Sequence, residues 1–413
     1  MKRLCTAILP GALLLSAALL FLRPGTLPAW VDPYLRAYPF VVVAVGGILG
    51  SLFNCSRIVF AILVLALADR ALLQSSPGHV TASDAGHIVF GAVAILLPLN
   101  IAALAMINER GILNRAGLSR LLPIMAQSLL VGIISLPLLR GISAVLDYRF
   151  VDGSLTSWTH LSQPALLAFG FALLAQGIRL AIFRSAIEAG FFWGLVASFL
   201  ALHSSAGGIT TTNYFATAGL ILVVGIFEKT YRMAYHDDLT GLPGRRALNE
   251  ALPKLGPRYA LAMVDIDHFK QFNDRYGHDV GDQVLRMVAS KLECVSGGGK
   301  AYRYGGEEFA VVFPGQSVDE TIPHLESLRR AVQASCFVLR GKDRPRKKPK
   351  TPKPPTSPRK AVVVTVSIGV GQRSADNLTP EQVIKAADNA LYKAKDGGRN
   401  RTESWAHSYK AGA

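Results

Sequence analysis

Apolar and polar positions follow two different rules along this chain. Up to about residue 228 the apolar residues come in long runs, near 5 to 22, 38 to 53, 57 to 73, 87 to 107, 121 to 146, 164 to 182, 186 to 203 and 213 to 228. Several approach the ~20 residues a helix needs to cross a hydrocarbon core, and the shorter ones borrow flanking residues. The pattern predicts an N-terminal all-α polytopic membrane bundle, residues 1–228, with eight spans, or seven on the lower count. Beyond residue 236 the apolar runs shorten and alternate with polar clusters. Strands are expected near 259 to 265, 300 to 304, 308 to 313 and 361 to 370, and Gln283 to Leu292 has helical apolar spacing. This half reads as an α/β domain, an antiparallel-centred sheet flanked by helices, over residues 237–405. Residues 229–236 are a short linker and 406–413 a tail.

Charge orients the bundle. Arg110, Arg115 and Arg120 share one loop, Arg179 and Arg184 border another, and Lys229 and Arg232 follow the last span. Cytoplasmic loops carry the Lys/Arg excess. The opposite loops, around Gln74 to His87 and His203 to Ile209, carry neither residue. Eight spans with both termini and the C-terminal domain in the cytoplasm satisfy this, in a bacterial inner membrane. The basic start followed by an apolar run also fits a signal peptide, but no persuasive cleavage site follows it. Arg140 and Arg179 lie in or near apolar spans, where charge marks function or snorkels to the interface. Cys5, Cys55, Cys294 and Cys336 lack metal-ligand spacing.

The formal charge is +16, and residues 342–360, rich in Lys, Arg and Pro, carry a large share of it. Such a composition buries no core and proline removes ladder donors, so this is an extended insertion. It is either a solvated loop or a contact for anionic lipid headgroups. Specific nucleic-acid binding is not expected.

Candidate chemistry begins at Arg303-Tyr304-Gly305-Gly306-Glu307-Glu308-Phe309. Paired glycines between strand-like runs favour a tight turn with positive φ, and a turn without side chains lets a ligand approach the backbone. Upstream, the buried run Leu261 to Val264 ends in Asp265-Ile266-Asp267. Magnesium takes oxygen ligands, commonly one or two carboxylates, and leaves room for phosphate and water. If the two acidic segments are adjacent strands, Asp265 and Glu308 converge on such an ion, and Glu307 beside them can accept a proton.

Together these segments resemble the GGDEF-domain diguanylate cyclases. Asp237-Asp238-Leu239-Thr240-Gly241-Leu242 is similar to the family's opening motif, Asp265 to Asp282 to its metal and guanine segment, and Gly305 to Phe309 to its signature. Val364 to Val370 resembles the strand that follows, and Ala390 to Lys395 with Gly398 to Arg401 the late helix and its end. The resemblance covers roughly residues 232 to 405. It implies a ferredoxin-like palm and synthesis of cyclic di-GMP from two GTP. It implies Mg2+, with Mn2+ as a substitute, held by Asp265, the carbonyl of Ile266 and Glu308, and Glu307 as the catalytic base. Asn273 and Asp282 would read guanine. Phe269, Lys270, His278, Lys395 and Arg399 would complete the substrate site. One domain holds one GTP, so a two-fold homodimer is implied. The alternative is a catalytically inactive receptor that binds GTP or a protein partner.

Two departures stand out. The Arg-x-x-Asp that often forms the family's inhibitory product site is replaced by Ser296 and Gly299, so no such site is expected. Gly244 stands where asparagine is usual.

Overall fold

A computed structural model describes residues 2–22, 28–75, 84–112, 114–134, 143–152, 156–204, 209–335, 337–338, 361–374 and 379–405. The insertion at 342–360, the tail 406–413, Arg140 and Cys336 fall outside these residues. The chain divides into two compact units, Met1–Tyr231 and Arg232–Ala413.

The first unit is helical: α1 (Lys2–Phe21), α2 (Asp32–Leu52), α3 (Ser56–Ser75), α4 (Asp84–Met106), α5 (Arg115–Ile134), the single turn α6 (Ser143–Leu146), α7 (Gln163–Phe183), α8 (Ala186–His203) and α9 (Ile209–Tyr235). Among the described residues seven of them, α2 to α5 and α7 to α9, are long and apolar enough to cross a membrane. The apolar stretch Thr6–Phe21 of α1 is shorter. The span expected at 121 to 146 begins earlier, at Arg115, and its residues 135–142 lie outside the described residues. Its two arginines, Arg115 and Arg120, belong to the first turns of the helix rather than to a loop. Residues 229–235, read as linker, are the last turns of α9.

Charged side chains tie the helix ends together. Arg57, at the start of α3, donates to Glu109 at 3.0 Å and to Glu188 of α8 at 3.3 Å. Arg179 of α7 grips the same Glu188 with two nitrogens at 2.8 and 2.9 Å. Arg179 therefore has a defined ionic partner. Ser185 caps α8 by accepting from the Glu188 N–H, fixing the carboxylate between the two guanidinium groups.

In the second unit a five-stranded sheet has the order β2-β3-β1-β6-β7. Its strands are β1 (Tyr259–Ile266), β2 (Lys300–Arg303), β3 (Glu308–Pro314), β6 (Val366–Gln372) and β7 (Thr402–Ser404). A separate two-stranded ribbon joins β4 (Phe337–Val338) and β5 (Ala361–Val362). The segment expected as one strand over 361 to 370 is thus two. β7, which pairs parallel to β6, was not expected; it is only three residues long and polar. All other pairings in the sheet are antiparallel.

β1 lies at the centre and is buried throughout. Period-2 alternation sends Ala260, Ala262, Val264 and Ile266 to one apolar cluster and Tyr259, Leu261 and Met263 to another. The first cluster packs against α12 (His278–Leu292) and α13 (Val318–Gln333), the second against α10 (Arg245–Ala251) and α14 (Pro380–Asp396). α14 starts with a reciprocal cap between Thr379 and Gln382 and with Pro380 in its first turn. It lies so close to β6 that a Cβ at Gly369 would stand 2.0 Å from the Leu391 nitrogen. Only glycine permits that approach.

Candidate active site

Asp265 leaves β1 on the α14 face, directly opposite Glu308 on β3 and Ser367 on β6. The sheet register therefore brings together two acids forty-three positions apart in sequence. Asp265 is buried, and Lys395 of α14 reaches it with Nζ 2.9 Å from Oδ2. Burial pushes the Asp265 carboxyl above the usual carboxylate range against the pull of Lys395, and Glu308 and Asp267 push it the same way. Glu307 is also raised, first by burial, then by Asp265 and Glu308, with Lys395 opposing. Burial and Glu308 likewise raise Asp388 of α14. Acids that repel one another around a single ammonium form a set of hard oxygen donors short of positive charge, which suits a divalent cation. Asp265 and Glu308, two of the donors expected for magnesium, fit it on that ground, while among the described residues no group of three or more His, Cys, Asp or Glu side chains could hold a metal ion by itself.

Asp267, two residues on, is differently employed. It accepts from Thr365 Oγ1 at 2.7 Å, Ser367 Oγ at 2.6 Å and the Asn400 N–H at 3.1 Å. It pins the end of β6 and the turn after α14, so its carboxylate is saturated by structure.

The turn between β2 and β3 is closed by Tyr304 and Gly305 N–H donation to the Glu308 carbonyl at 2.9 and 3.1 Å. Contrary to expectation, neither Gly305 nor Gly306 has positive φ. Space within the protein bears on Gly305 but not on Gly306. A Cβ at Gly305 would lie 2.8 Å from Glu308 Oε2, and at Gly306 it would project into open volume. Arg303 supplies the brace that sequence reading missed. Its guanidinium donates to the carbonyls of Gly305 (3.2 Å) and Gly306 (2.7 Å) and to Asp237 Oδ1 (2.7 Å). Asp237 in turn accepts from Thr240 N and Oγ1. Burial acts against ionisation of Asp237, but these bonds from Thr240 and Arg303 outweigh it and hold the carboxyl below its ordinary range. The backbone repeats the link: Gly244 donates to Tyr235, the last residue of α9, and Arg303 to Pro243. The only local signal for this tie was an arginine beside the turn; its partner is far off in sequence. Gly244 itself caps α10 with no side-chain bond, consistent with a local effect of its departure from asparagine.

The proposed guanine readers lie on α11 (Phe269–Tyr276) and α12. Asn273 Oδ1 is buried with no hydrogen-bond partner in the protein. A Cβ at Gly281 would stand 1.9 Å from it, so glycine leaves the pocket that oxygen occupies. Buried acceptors are nearly always paired, and this one awaits a donor. Asp282 follows Gly281 and is half-buried. The ring of Phe269, expected in the substrate site, is buried in the core beside Phe272. Lys270, His278 and Arg399 are exposed. Among the described residues, Lys395 alone of the assigned cations pairs with the acids. Ser296 bonds His324 at 2.8 Å, and Gly297 and Gly298 both have φ of +71°, so the segment of the missing product site is a tight turn.

The family profile described as "Diguanylate cyclase, GGDEF domain" matches residues 234–349 and 342–401. The C-terminal unit carries a GGDEF domain. This GGDEF unit is 39% identical over 178 residues to diguanylate cyclase VdcA of Vibrio cholerae, an alignment that covers 42% of this chain and 48% of that protein. It is 35% identical over 181 residues to the response regulator PleD of Caulobacter vibrioides, covering 42% and 36%. The chain thus spans half or less of these curated relatives. A solved structure of the coiled coil and GGDEF domain of DgcB from Caulobacter crescentus, in complex with c-di-GMP, is similar at 33% identity. That alignment covers 43% of this chain and 89% of that one, with a TM-score of 0.37.

Proposed function

We propose that this protein is a membrane-bound diguanylate cyclase that condenses two GTP into cyclic di-GMP and two pyrophosphates. The observation that carries the reading is the Asp265–Glu308 pair across β1 and β3, with Glu307 beside it and Lys395 reaching in from α14. Each 3′-hydroxyl attacks the α-phosphorus of the other GTP. The new P–O bond replaces the bond to pyrophosphate, and the hydroxyl proton passes to Glu307. Bound at Asp265, the Ile266 carbonyl and Glu308, Mg2+ would offset phosphate charge and favour the departing pyrophosphate. Lys395, whose ammonium lies at Asp265, would neutralise phosphate oxygens together with the exposed Lys270 and Arg399. The orphaned Asn273 oxygen and Asp282 accept from the guanine edge.

Because one domain holds one GTP, two must face each other in an isologous dimer. The helical unit anchors the enzyme in a bacterial inner membrane, with the GGDEF unit in the cytoplasm, and regulates it. The unbroken passage of α9 into the turn at Tyr235 that ties to Arg303 supports such control. With Ser296 and Gly299 in place of a guanidinium and a carboxylate, product feedback through that segment is weak.

The deciding experiment incubates the purified full-length protein with GTP and Mg2+ and identifies products by mass. Cyclic di-GMP is expected from the native protein, and Glu307→Gln should lower turnover at least about 100-fold while GTP still binds. GTP binding without any condensation by the native protein would favour the receptor reading.

A further inference from the structure

Among the described residues of the helical unit, Arg70 lines two cavities. The larger, about 350 Å3, lies among α3, α4 and α5, a volume suited to one small molecule. Its lining is divided. Leu67, Leu97 and Ile124 give apolar walls, whereas Arg70, Gln74 and Gln127 contribute polar groups. Arg70 and Gln74 are one turn apart near the end of α3, away from the Arg57 cluster. Gln127 of α5 is fixed by the Asn100 side chain of α4 at 2.7 Å.

Arg70 is steadied without being consumed. One nitrogen bonds Asp69 at 2.5 Å and the guanidinium stacks over the Phe40 ring, both residues of the smaller cavity's lining, while Arg70 lines the two cavities together and 45% of its side chain stays exposed. A guanidinium has five donors in a planar fork that matches a carboxylate. In an apolar setting such a cation calls for an anion. Asp69 already offsets part of its charge, so one further negative charge suits it better than two. We propose that this cavity binds a small amphiphilic carboxylate, with its apolar part against Leu67, Leu97 and Ile124 and its carboxylate on Arg70.

The site also has a route to α9. The second Asp69 oxygen accepts from Thr212 of α9 at 2.6 Å. A carboxylate drawn to Arg70 competes with Asp69 and thereby alters a buried bond to the helix that leads into the GGDEF unit. This regulatory consequence rests on the cyclase reading; the binding itself does not.

The test places the full-length protein in nanodiscs of phosphatidylcholine, without GTP, at a pH where carboxylates are ionised. Binding of radiolabelled dodecanoate is measured against competition by dodecanol and dodecyl phosphate. Saturable dodecanoate binding is expected, with dodecanol at least about tenfold weaker and Arg70→Gln lowering affinity by a similar factor. Ser128→Trp fills the cavity from α5 at a side chain that, among the described residues, bonds within its own helix at Ile124, and should abolish binding even if Arg70→Gln fails to fold. Binding no greater than in protein-free nanodiscs, equal affinity for dodecanol, tighter binding of dodecyl phosphate, or affinity unchanged in Ser128→Trp would each overturn the proposal. A protein that binds dodecanoate but makes no cyclic di-GMP would sink the function above and leave this site standing.

Discussion

Two charged clusters, one in each unit, are built on opposite terms. At the ends of α3, α7 and α8, Glu188 is buried between Arg57 and Arg179, while Arg57 also holds Glu109. Each charge there meets an opposite one. At the other cluster Lys395 pairs with Asp265, and among the described residues the neighbouring Glu307 and Glu308 make no ion pair. A closed cluster joins helices, whereas an open one keeps capacity for something that arrives. Raised carboxyl groups at Asp265 and Glu307 are the electrostatic mark of that reserve.

Neutralising one acid in each cluster should separate the two most sharply. Asp265→Asn is expected to reduce GTP turnover at least about 100-fold yet leave the thermal midpoint unchanged or higher, since it removes a charge whose ionised form the fold disfavours. A large fall in the midpoint would break the contrast. Glu188→Gln should do the reverse, destabilising the helical unit by about 3 kcal/mol because two partly buried guanidinium groups lose their shared, buried partner. Thermal unfolding in one detergent for both variants checks this. Arg303→Lys keeps the charge but loses the fork that binds Gly305, Gly306 and Asp237. Turnover should fall about tenfold through misplacement of the turn, with GTP affinity altered less than kcat. The smallest effect concerns acid. Asp237 is held below its ordinary range, so its contribution to stability is complete above that range and is lost as pH falls through the lowered value. Asp237→Asn should therefore be less stable near neutrality and show a shallower loss as pH falls below the ordinary carboxylate range, followed by near-ultraviolet circular dichroism.

The acids of the open cluster were legible because they end short apolar runs, where a sequence has no packing reason to place them. Strand register then needed only to make β1 and β3 neighbours, as it does. Asp267 looked the same in sequence, but its role is set by Thr365, Ser367 and Asn400, distant positions with no local trace. The Arg303–Asp237 tie was invisible for the same reason. Short polar β7 gave no alternation to read, and the apolar run from 361 hid the break between β5 and β6. In the helical unit, hydropathy located the runs but not their frames. Arginine at the start of α5 was counted as loop because charge and helix are compatible wherever the side chain can reach a polar partner, as Arg120 does at Ser56 and the Asn108 carbonyl.

The two glycine pairs of the GGDEF unit answer to different examiners. Gly297 and Gly298 occupy left-handed backbone, so a side chain there would be noticed by the chain as it folds. Gly305 and Gly306 do not, and at Gly306 a methyl group would meet nothing within 4 Å. A library of variants at Gly306, sorted first for expression and folding, would pass almost untouched. Sorted again for a guest molecule, it would be thinned. That position records a shape the protein itself does not fill.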